Sequence, residues 1–433
     1  MSKSTIKQAA LAAQVFDRWS EVEGVAGMDL ETSAKATKAL VRKREIQSAT
    51  DLLRVVLLYS LCDFSLRMVG LWSVVLGIGY LSDVAILKRL QGCPAWLGLL
   101  IGQLLQRRCK ALVQQAEIRL RLIDATTISR PGSQGTDWRL HLSMDLGHGC
   151  LDGIALTDAS GGESLARFAR QADEIWVADR GYAFARGLGA ALQQLVQLVV
   201  RINWQTLPLQ TLHGQPLDVI AWLSSVSQPS ERAVLLPTPF GNFPLRLLAS
   251  PLQPEKADRA RDRARRTAAK KGRTVSPKTL VAAGFVLLLS NLPTDTWPTA
   301  RIFWLYRLRW QIELHIKRLK SLLDFDQLRA LDPRLAQTYL LGKLLAALLL
   351  EELTHSVRDQ HPDWWTNLDR PLSVWRLTHA LNQLLRQWVL GAVSPLRFLV
   401  CLPRLGRYLC NSSRARPQQD AWMRALLEHL ACS

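Results

Sequence analysis

The chain lacks a clean membrane span. Its longest uncharged run, Leu90–Gln106, is 17 residues long and carries three glycines, three glutamines and Pro94. Met68–Ser82 is more apolar but only 15 residues long, again with three glycines. Both fall short of the roughly 18 apolar residues a spanning helix needs. The first residues, MSKSTIKQAALAAQVFDRWSEVEG, break into charge before an apolar leader core could form. Cysteine is also sparse: the seven, at 62, 93, 109, 150, 401, 410 and 432, show no short paired spacing. That excludes a disulfide framework or zinc knuckle and implies a reducing, cytoplasmic compartment. Acid is the third shortage, with 36 Asp and Glu against 55 Lys and Arg, a formal charge of +19. So basic a chain suits a polyanion, either nucleic acid or an anionic membrane surface.

What is present supports folded cores. The 433 residues, 48% hydrophobic, suffice for two or three domains. Residues 1–112 read as helical, with Lys35–Tyr59 and Ser82–Gln106 as leading segments, the second broken near Gly92 and Pro94. Lys35, Lys38, Arg42, Lys43 and Arg44 form a basic cluster, either a solvated helix face or a DNA contact. From Ile118 the pattern turns to strands: Ile118–Asp124, Trp138–Asp145 and Leu151–Thr157. A helix over Glu163–Gln171, a strand over Glu174–Ala178, a helix over Tyr182–Leu195 and the apolar run Val196–Ile202 follow. Together they predict an α/β layer.

Residues 203–298 interrupt that layer with the strand-like pieces Ala233–Leu236 and Leu245–Ala249. Lys256–Arg273 holds nine Lys and Arg, two Asp and no apolar residue larger than alanine. It is either a polar linker helix or an element touching a nucleic-acid backbone, with Arg265, Arg266, Lys270 and Lys271 as the contacts. Leu280–Leu289 reads as a strand, and helix resumes from Thr299.

Three acids carry the chemistry. Asp124 and Asp179 close the apolar runs RLRLID and IWVAD. Glu313 lies on a segment whose Tyr306, Arg309, Glu313 and Lys320, at offsets of three, four and seven, would share one helical face. Leu305, Leu308, Ile312, Ile316, Leu319 and Leu323 form an apolar stripe that would dock this helix on a sheet. Two carboxylates at strand ends and one from a helix packed across them can hold a pair of Mg²⁺ or Mn²⁺ ions for in-line phosphoryl transfer. Arg309 and Lys320 would each bind a phosphate. Trp310 is expected to pack against residues 203–298 rather than stack on DNA, His315 not to be a ligand, and His141 either to approach the site or to make a structural hydrogen bond.

These residues resemble a known family. LIDATT, VADRGY and YRLRWQIELHIKRLK are similar to the three catalytic blocks of the DDE transposases of the insertion-sequence-four family, the last matching its Y-(2)-R-(3)-E-(6)-K signature throughout. The resemblance implies an α/β, RNase H-like catalytic core, a mixed sheet with flanking helices, in two parts, 113–202 and 299–433. A mostly β insertion, 203–298, would interrupt it, and the helical domain 1–112 would bind transposon ends. It further implies two Mg²⁺ ions on Asp124, Asp179 and Glu313, with Mn²⁺ as a substitute. The partners would be double-stranded DNA, both terminal inverted repeats and target, and a second copy of the chain in the bacterial cytoplasm. Tyr306, Arg309, Lys320, Lys43 and Arg44 would touch DNA. Phe285, where relatives carry tryptophan, would stack on a flipped base if a hairpin forms, or serve as a core residue. A metal-dependent nuclease with the same triad and an inactive DNA-binding relative are the competing functions.

Overall fold

The computed structural model describes Trp19, residues 22–113, 119–171, 173–366 and 371–392, and positions 406, 409 and 410. Ile118, Cys401, Cys432 and the start of the expected N-terminal domain lie outside the described residues. The chain divides into two compact units. The first comprises Met1–Ala111, Thr127–Trp138 and His315–Ala425. The second comprises Leu112–Thr126, Arg139–Leu314 and Leu426–Ser433.

The first unit is helical, and its helices start at caps written in the sequence. Asp29, Ser48, Ser65 and Ser82 each accept a backbone N–H at the start of Leu30–Ala36, Ala49–Ser60, Leu66–Val75 and Asp83–Gln91. The long helix Pro333–Gln360, capped by Asp332 with proline at its first position, packs against Ala49–Ser60 and Val374–Val389. Lys343, fully buried on that helix, lies 3.1 Å from Asp63 and donates to the Leu323 carbonyl at 2.6 Å. The expected helix over Lys35–Tyr59 is interrupted. The Thr37 hydroxyl turns back to the Ser33 carbonyl, Lys38 adopts a left-handed φ of 59°, and helix resumes only at Ser48. Lys35, Lys38 and Arg42 therefore do not share a helical face. The break at Gly92 and Pro94 falls as expected, Pro94 opening Pro94–Val113. No single described helix is long and apolar enough to cross a membrane.

The second unit is built on an eight-stranded mixed sheet. Its strands are β1 (Arg119–Ile128), β2 (Trp138–Asp145), β3 (Cys150–Asp158), β4 (Glu174–Ala178), β5 (Gln197–Arg201), β6 (Ser230–Thr238), β7 (Gly241–Pro251) and β8 (Phe285–Ser290). Their spatial order is β3-β2-β1-β4-β5-β8-β7-β6. β1, β4 and β5 run parallel, while β8, β7 and β6 continue the sheet antiparallel. This is the mixed sheet with flanking helices of an RNase H-like core, accompanied by an N-terminal helical region. Residues from 203–298, the stretch expected to be an insertion, thus extend the same hydrogen-bonded sheet. The central strands are buried on both faces, as their unbroken apolar runs require. Trp176, Ala178, Leu198, Val200, Leu287 and Leu289 share one core with Leu188 and Leu192 of the helix Ala185–Gln193.

Arg119 and Arg121 of β1 are buried in this core region. Arg119 meets Asp145 at 3.0 Å, and Arg121 meets Asp152 at 2.9 Å and Glu174 at 3.2 Å. The arginines of RLRLID therefore belong to a paired internal network, in keeping with the rule that a buried charge persists only with partners.

Three expected elements differ. Glu163–Gln171 forms only a 3₁₀ turn, Leu165–Arg167, because Phe168 returns to extended backbone. Tyr182–Leu195 begins as helix only at Ala185, Tyr182 lying in the turn Arg180–Tyr182. Leu280–Leu289 is split between a helix, Pro277–Ala283, and β8. Ser276 caps that helix with Pro277 at its first position, and Gly284 ends it. Those capping groups override the apolar run.

Candidate active site

Parallel register brings the two aspartates together. Ile123 of β1 pairs with Ala178 of β4, and Ala178 pairs with Val200 of β5. The next residues on the three strands are Asp124, Asp179 and Arg201. Asp179 and Arg201 stand at the ends of β4 and β5, and Asp124 lies level with them within the longer β1, so the row sits at the carboxyl ends of two strands, where open α/β sheets bind ligands. Arg201 Nη1 stands 4.0 Å from Asp179 Oδ1. Sequence reasoning passed over Arg201, although its place after LVV gave the same signal as the acids.

The helical segment from Thr299 supplies the rest. It is two helices, Thr299–Arg307 and Trp310–Leu323. Between them the backbone tightens to i→i−3 bonds, with Leu308 N donating to Leu305 O, Arg309 N to Tyr306 O and Ile312 N to Arg309 O. The single face expected from offsets of three and four is therefore broken at Arg309. The six residues of the apolar stripe, Leu305, Leu308, Ile312, Ile316, Leu319 and Leu323, are all buried. Thr299–Arg307 packs on β4 and β5.

Tyr306, Arg309 and Glu313 reach the aspartates across that tightened turn. The Tyr306 hydroxyl donates to Asp179 Oδ1 at 2.9 Å. Arg309 Nη1 donates to Asp124 Oδ2 at 3.1 Å, and its Nη2 donates to Glu313 Oε1. The guanidinium thus bridges a strand acid and the helix acid, and its carbon lies 5.6 Å from the Tyr306 ring centre. Lys320 sits two turns beyond Glu313 on the same helix, half-buried.

The two aspartates are electrostatically unlike. Burial pushes the Asp124 carboxyl up to about 6; Arg309 opposes the shift, while Asp179 and Glu313 add to it. At Asp179 burial acts the same way, but Arg309, the Arg180 amide, the Tyr306 hydroxyl and Arg201 outweigh it, holding that carboxyl below its usual range. Burial raises the Tyr306 phenol to about 12, so it remains a donor at neutral pH.

Among the described residues no three acids, histidines or cysteines already stand close enough to hold a metal ion. The donor chemistry fits a hard divalent cation all the same: the acids offer carboxylate oxygens, and a guanidinium occupies the cationic position between Asp124 and Glu313.

A cavity of about 620 Å³ adjoins these residues, lined by Arg201, Trp304, Tyr306, Arg309, Trp310 and Val286 among others. Trp310 is 51% exposed on it and shares its lining with Pro229, Ser250 and Leu252 of residues 203–298. Strand alternation turns Phe285 the other way, where it packs against the sheet core. His141 is buried against Thr157, its Nε2 3.1 Å from Oγ1, and His315 is buried beside Glu351.

The basic segments resolve into paired and unpaired charge. Lys43 lies 3.2 Å from Glu31, while Arg44 is exposed. The helix Pro254–Ala269 pairs Arg261 with Asp258 at 2.9 Å and Arg265 with Asp262 at 2.8 Å. Arg259, Arg263, Arg266 and Lys270 recur at steps of four, three and four, all exposed, with no ion-pair partner among the described residues. They form one outward stripe. Lys271 follows the helix end, also exposed.

Residues 115–349 match the family model described as Transposase DDE domain. The chain is 40% identical over 358 residues to InsL of insertion sequence element IS186A from Escherichia coli (strain K12), covering 80% of this chain and 96% of that one. It is 40% identical over 359 residues to the transposase for insertion sequence element IS421 of Escherichia coli, with the same shares covered. A piggyBac transposase synaptic complex with hairpin DNA superposes at a TM-score of 0.42 and 10% identity, covering 96% of this chain and 85% of that one. That likeness is too slight to bear on mechanism. The family match over more than half the chain, and the nearly full-length relatives, coincide with the segment that carries the three acids: the chain belongs to the DDE transposases of bacterial insertion sequences.

Proposed function

We propose that the chain catalyses metal-dependent cleavage at transposon ends and transfers the freed strand into target DNA, as a member of the insertion-sequence-four group. The observation that carries this reading is the level placement of Asp124 on β1 and Asp179 just past β4, with Glu313 tied to Asp124 through Arg309. Asp124, Asp179 and Glu313 are the residues that would hold two Mg²⁺ ions, or Mn²⁺ in their place. Bound there, the ions would activate a water or 3′-hydroxyl and stabilise the leaving oxygen. The protein's own groups set the geometry. Asp124 and Asp179 are fixed by the strand register, and Tyr306 orients Asp179 by donating to it. Arg201 and Arg309 supply positive charge where a scissile phosphate would lie. On loading, Arg309 would exchange its carboxylate partners for phosphate oxygens, and Lys320 would bind a second phosphate.

The remaining assignments follow the chemistry of each surface. Residues 1–112 would recognise the transposon ends, with Lys43 and Arg44 near the DNA. Residues 113–202 and 299–433 would form the catalytic core around the insertion 203–298. The basic helix would lie along a DNA backbone through Arg266, Lys270 and Lys271, with Arg265 contributing less because Asp262 already pairs with it. Trp304 and Trp310, in the cavity beside Arg309, offer a stacking surface for an unpaired base, which Phe285 does not. Two transposon ends call for a homodimer on DNA in the bacterial cytoplasm. A strand-joining assay with a DNA fragment bearing the element's inverted repeats tests the reading. End cleavage and joining in Mg²⁺, both lost in Glu313→Ala with DNA binding kept, are expected. Cleavage without any joining would leave a nuclease, and cleavage unaffected by Glu313→Ala would remove the triad.

A further inference from the structure

A fourth carboxylate lies near Asp179. Glu163, between β3 and the turn Leu165–Arg167, rests its side chain on the backbone of Gly181. A Cβ built at that glycine would fall 1.4 Å from Glu163 Oε2. Gly181 has no left-handed φ, so the glycine of VADRGY serves to leave room for this carboxylate. It lies two residues beyond Asp179, so the contact seats Glu163 next to the end of β4. Burial raises the Glu163 carboxyl above its ordinary range; Arg139 opposes this and Asp179 adds to it.

Two buried donors around Glu163 are unmatched. Tyr182 is 1% exposed and its hydroxyl has no hydrogen-bond partner. The charges acting most strongly on that phenol are Glu163 and Asp124. Arg139, the cation acting most strongly on Glu163, has a buried Nε with no partner either. Buried donors are almost always satisfied, so two of them beside one carboxylate, and near Asp124, mark a place for a polar guest. The waters around a divalent ion fit: those bound to the ion would donate to Glu163, and outer waters of the same cluster would accept from Tyr182 and Arg139.

We propose that Glu163 is a positioning residue of the catalytic centre, accepting hydrogen bonds from the hydration shell of a divalent ion held at Asp124 and Asp179. Tyr182 would donate to an outer water of the same cluster, and the space over Gly181 would keep the carboxylate in place. The assignment rests on the reading that these aspartates bind metal. Carboxylates beyond the direct ligands typically change metal affinity by 10–100-fold when removed.

Calorimetric titration of the full chain with Mn²⁺ alone, without DNA, tests it. Glu163→Gln should weaken Mn²⁺ binding by roughly 10-fold or more with the metal-free unfolding midpoint kept. Gly181→Ala should weaken it in the same sense, because the new methyl meets the flexible end of Glu163 rather than backbone. Asp179→Asn should abolish binding. Wild-type affinity in Glu163→Gln and Gly181→Ala, with Asp179→Asn defective, would overturn the role of Glu163 and leave the aspartates as ligands. Wild-type affinity in all three would overturn both. If Glu163→Gln fails to fold, Gly181→Ala decides alone.

Discussion

Arg309 donates to Asp124 Oδ2 at 3.1 Å while its other terminal nitrogen holds Glu313. One guanidinium therefore bridges a strand acid and a helix acid and offsets one of their two negative charges. Removing it by Arg309→Ala should raise the Asp124 carboxyl further, since Arg309 is the chief influence holding it down. In the metal-free protein this variant should lose stability on the order of 1–3 kcal/mol at neutral pH, the cost of leaving a partly buried charge unpaired. It should regain much of that loss when Mg²⁺ is added. Thermal unfolding with and without Mg²⁺ measures both, and a metal-free midpoint equal to wild type would contradict the bridge.

The raised Asp124 carboxyl sets a pH dependence. Its folded value of about 6 lies above the ordinary 3.8, so the native state binds a proton that the unfolded chain has released between those values. Stability from this group therefore falls as pH rises from about 4 to 6. Asp124→Asn should flatten that limb and stabilise the metal-free protein at pH 7. Protons and divalent ions compete for the same oxygens, so Mn²⁺ affinity of the wild type should drop as pH falls below about 6. A titration showing pH-independent Mn²⁺ affinity between pH 5 and 7 would place metal binding elsewhere.

On the basic helix, unpaired and paired cations predict different variants. Replacing Arg259, Arg263, Arg266 and Lys270 together by alanine should reduce the slope of log affinity against log salt by up to about 3–4, at roughly 0.9 per phosphate contact. Replacing Arg261 and Arg265, already paired with Asp258 and Asp262, should change it by less than about 1. Fluorescence anisotropy with duplex DNA across a salt series reads both, and equal losses would remove the distinction.

In the helical unit, Lys343 is fully buried with Asp63 as its acid partner. Asp63→Asn keeps a residue suited to the left-handed φ of 57° there but deletes the charge. It should destabilise the protein by on the order of 3 kcal/mol. Chemical denaturation gives the value, and a change below about 1 kcal/mol would mean the pair behaves like a surface contact.

The sequence made some of this legible and hid the rest for physical reasons. Asp124 and Asp179 were visible because a polar residue closing a buried strand changes the hydrophobic pattern at one position. Arg201 obeys the same pattern, but only the pairing of β4 with β5 shows that it ends beside Asp179. The docking stripe before and after Arg309 was readable from its period, whereas the tightened turn at Leu308 leaves no proline or glycine to mark it. At Leu280–Leu289 the apolar run concealed a helix start that Ser276 and Pro277 had announced. Glu163 was unreadable because its meaning depends on a glycine 18 positions away.

The shared sheet links residues 203–298 to the candidate site. The basic helix Pro254–Ala269 packs on Pro277–Ala283, which packs on β8, and β8 is hydrogen-bonded to β5, the strand that ends in Arg201. The outer stripe is thus two packed elements and one hydrogen-bonded ladder away from the strand that ends in Arg201, beside Asp179.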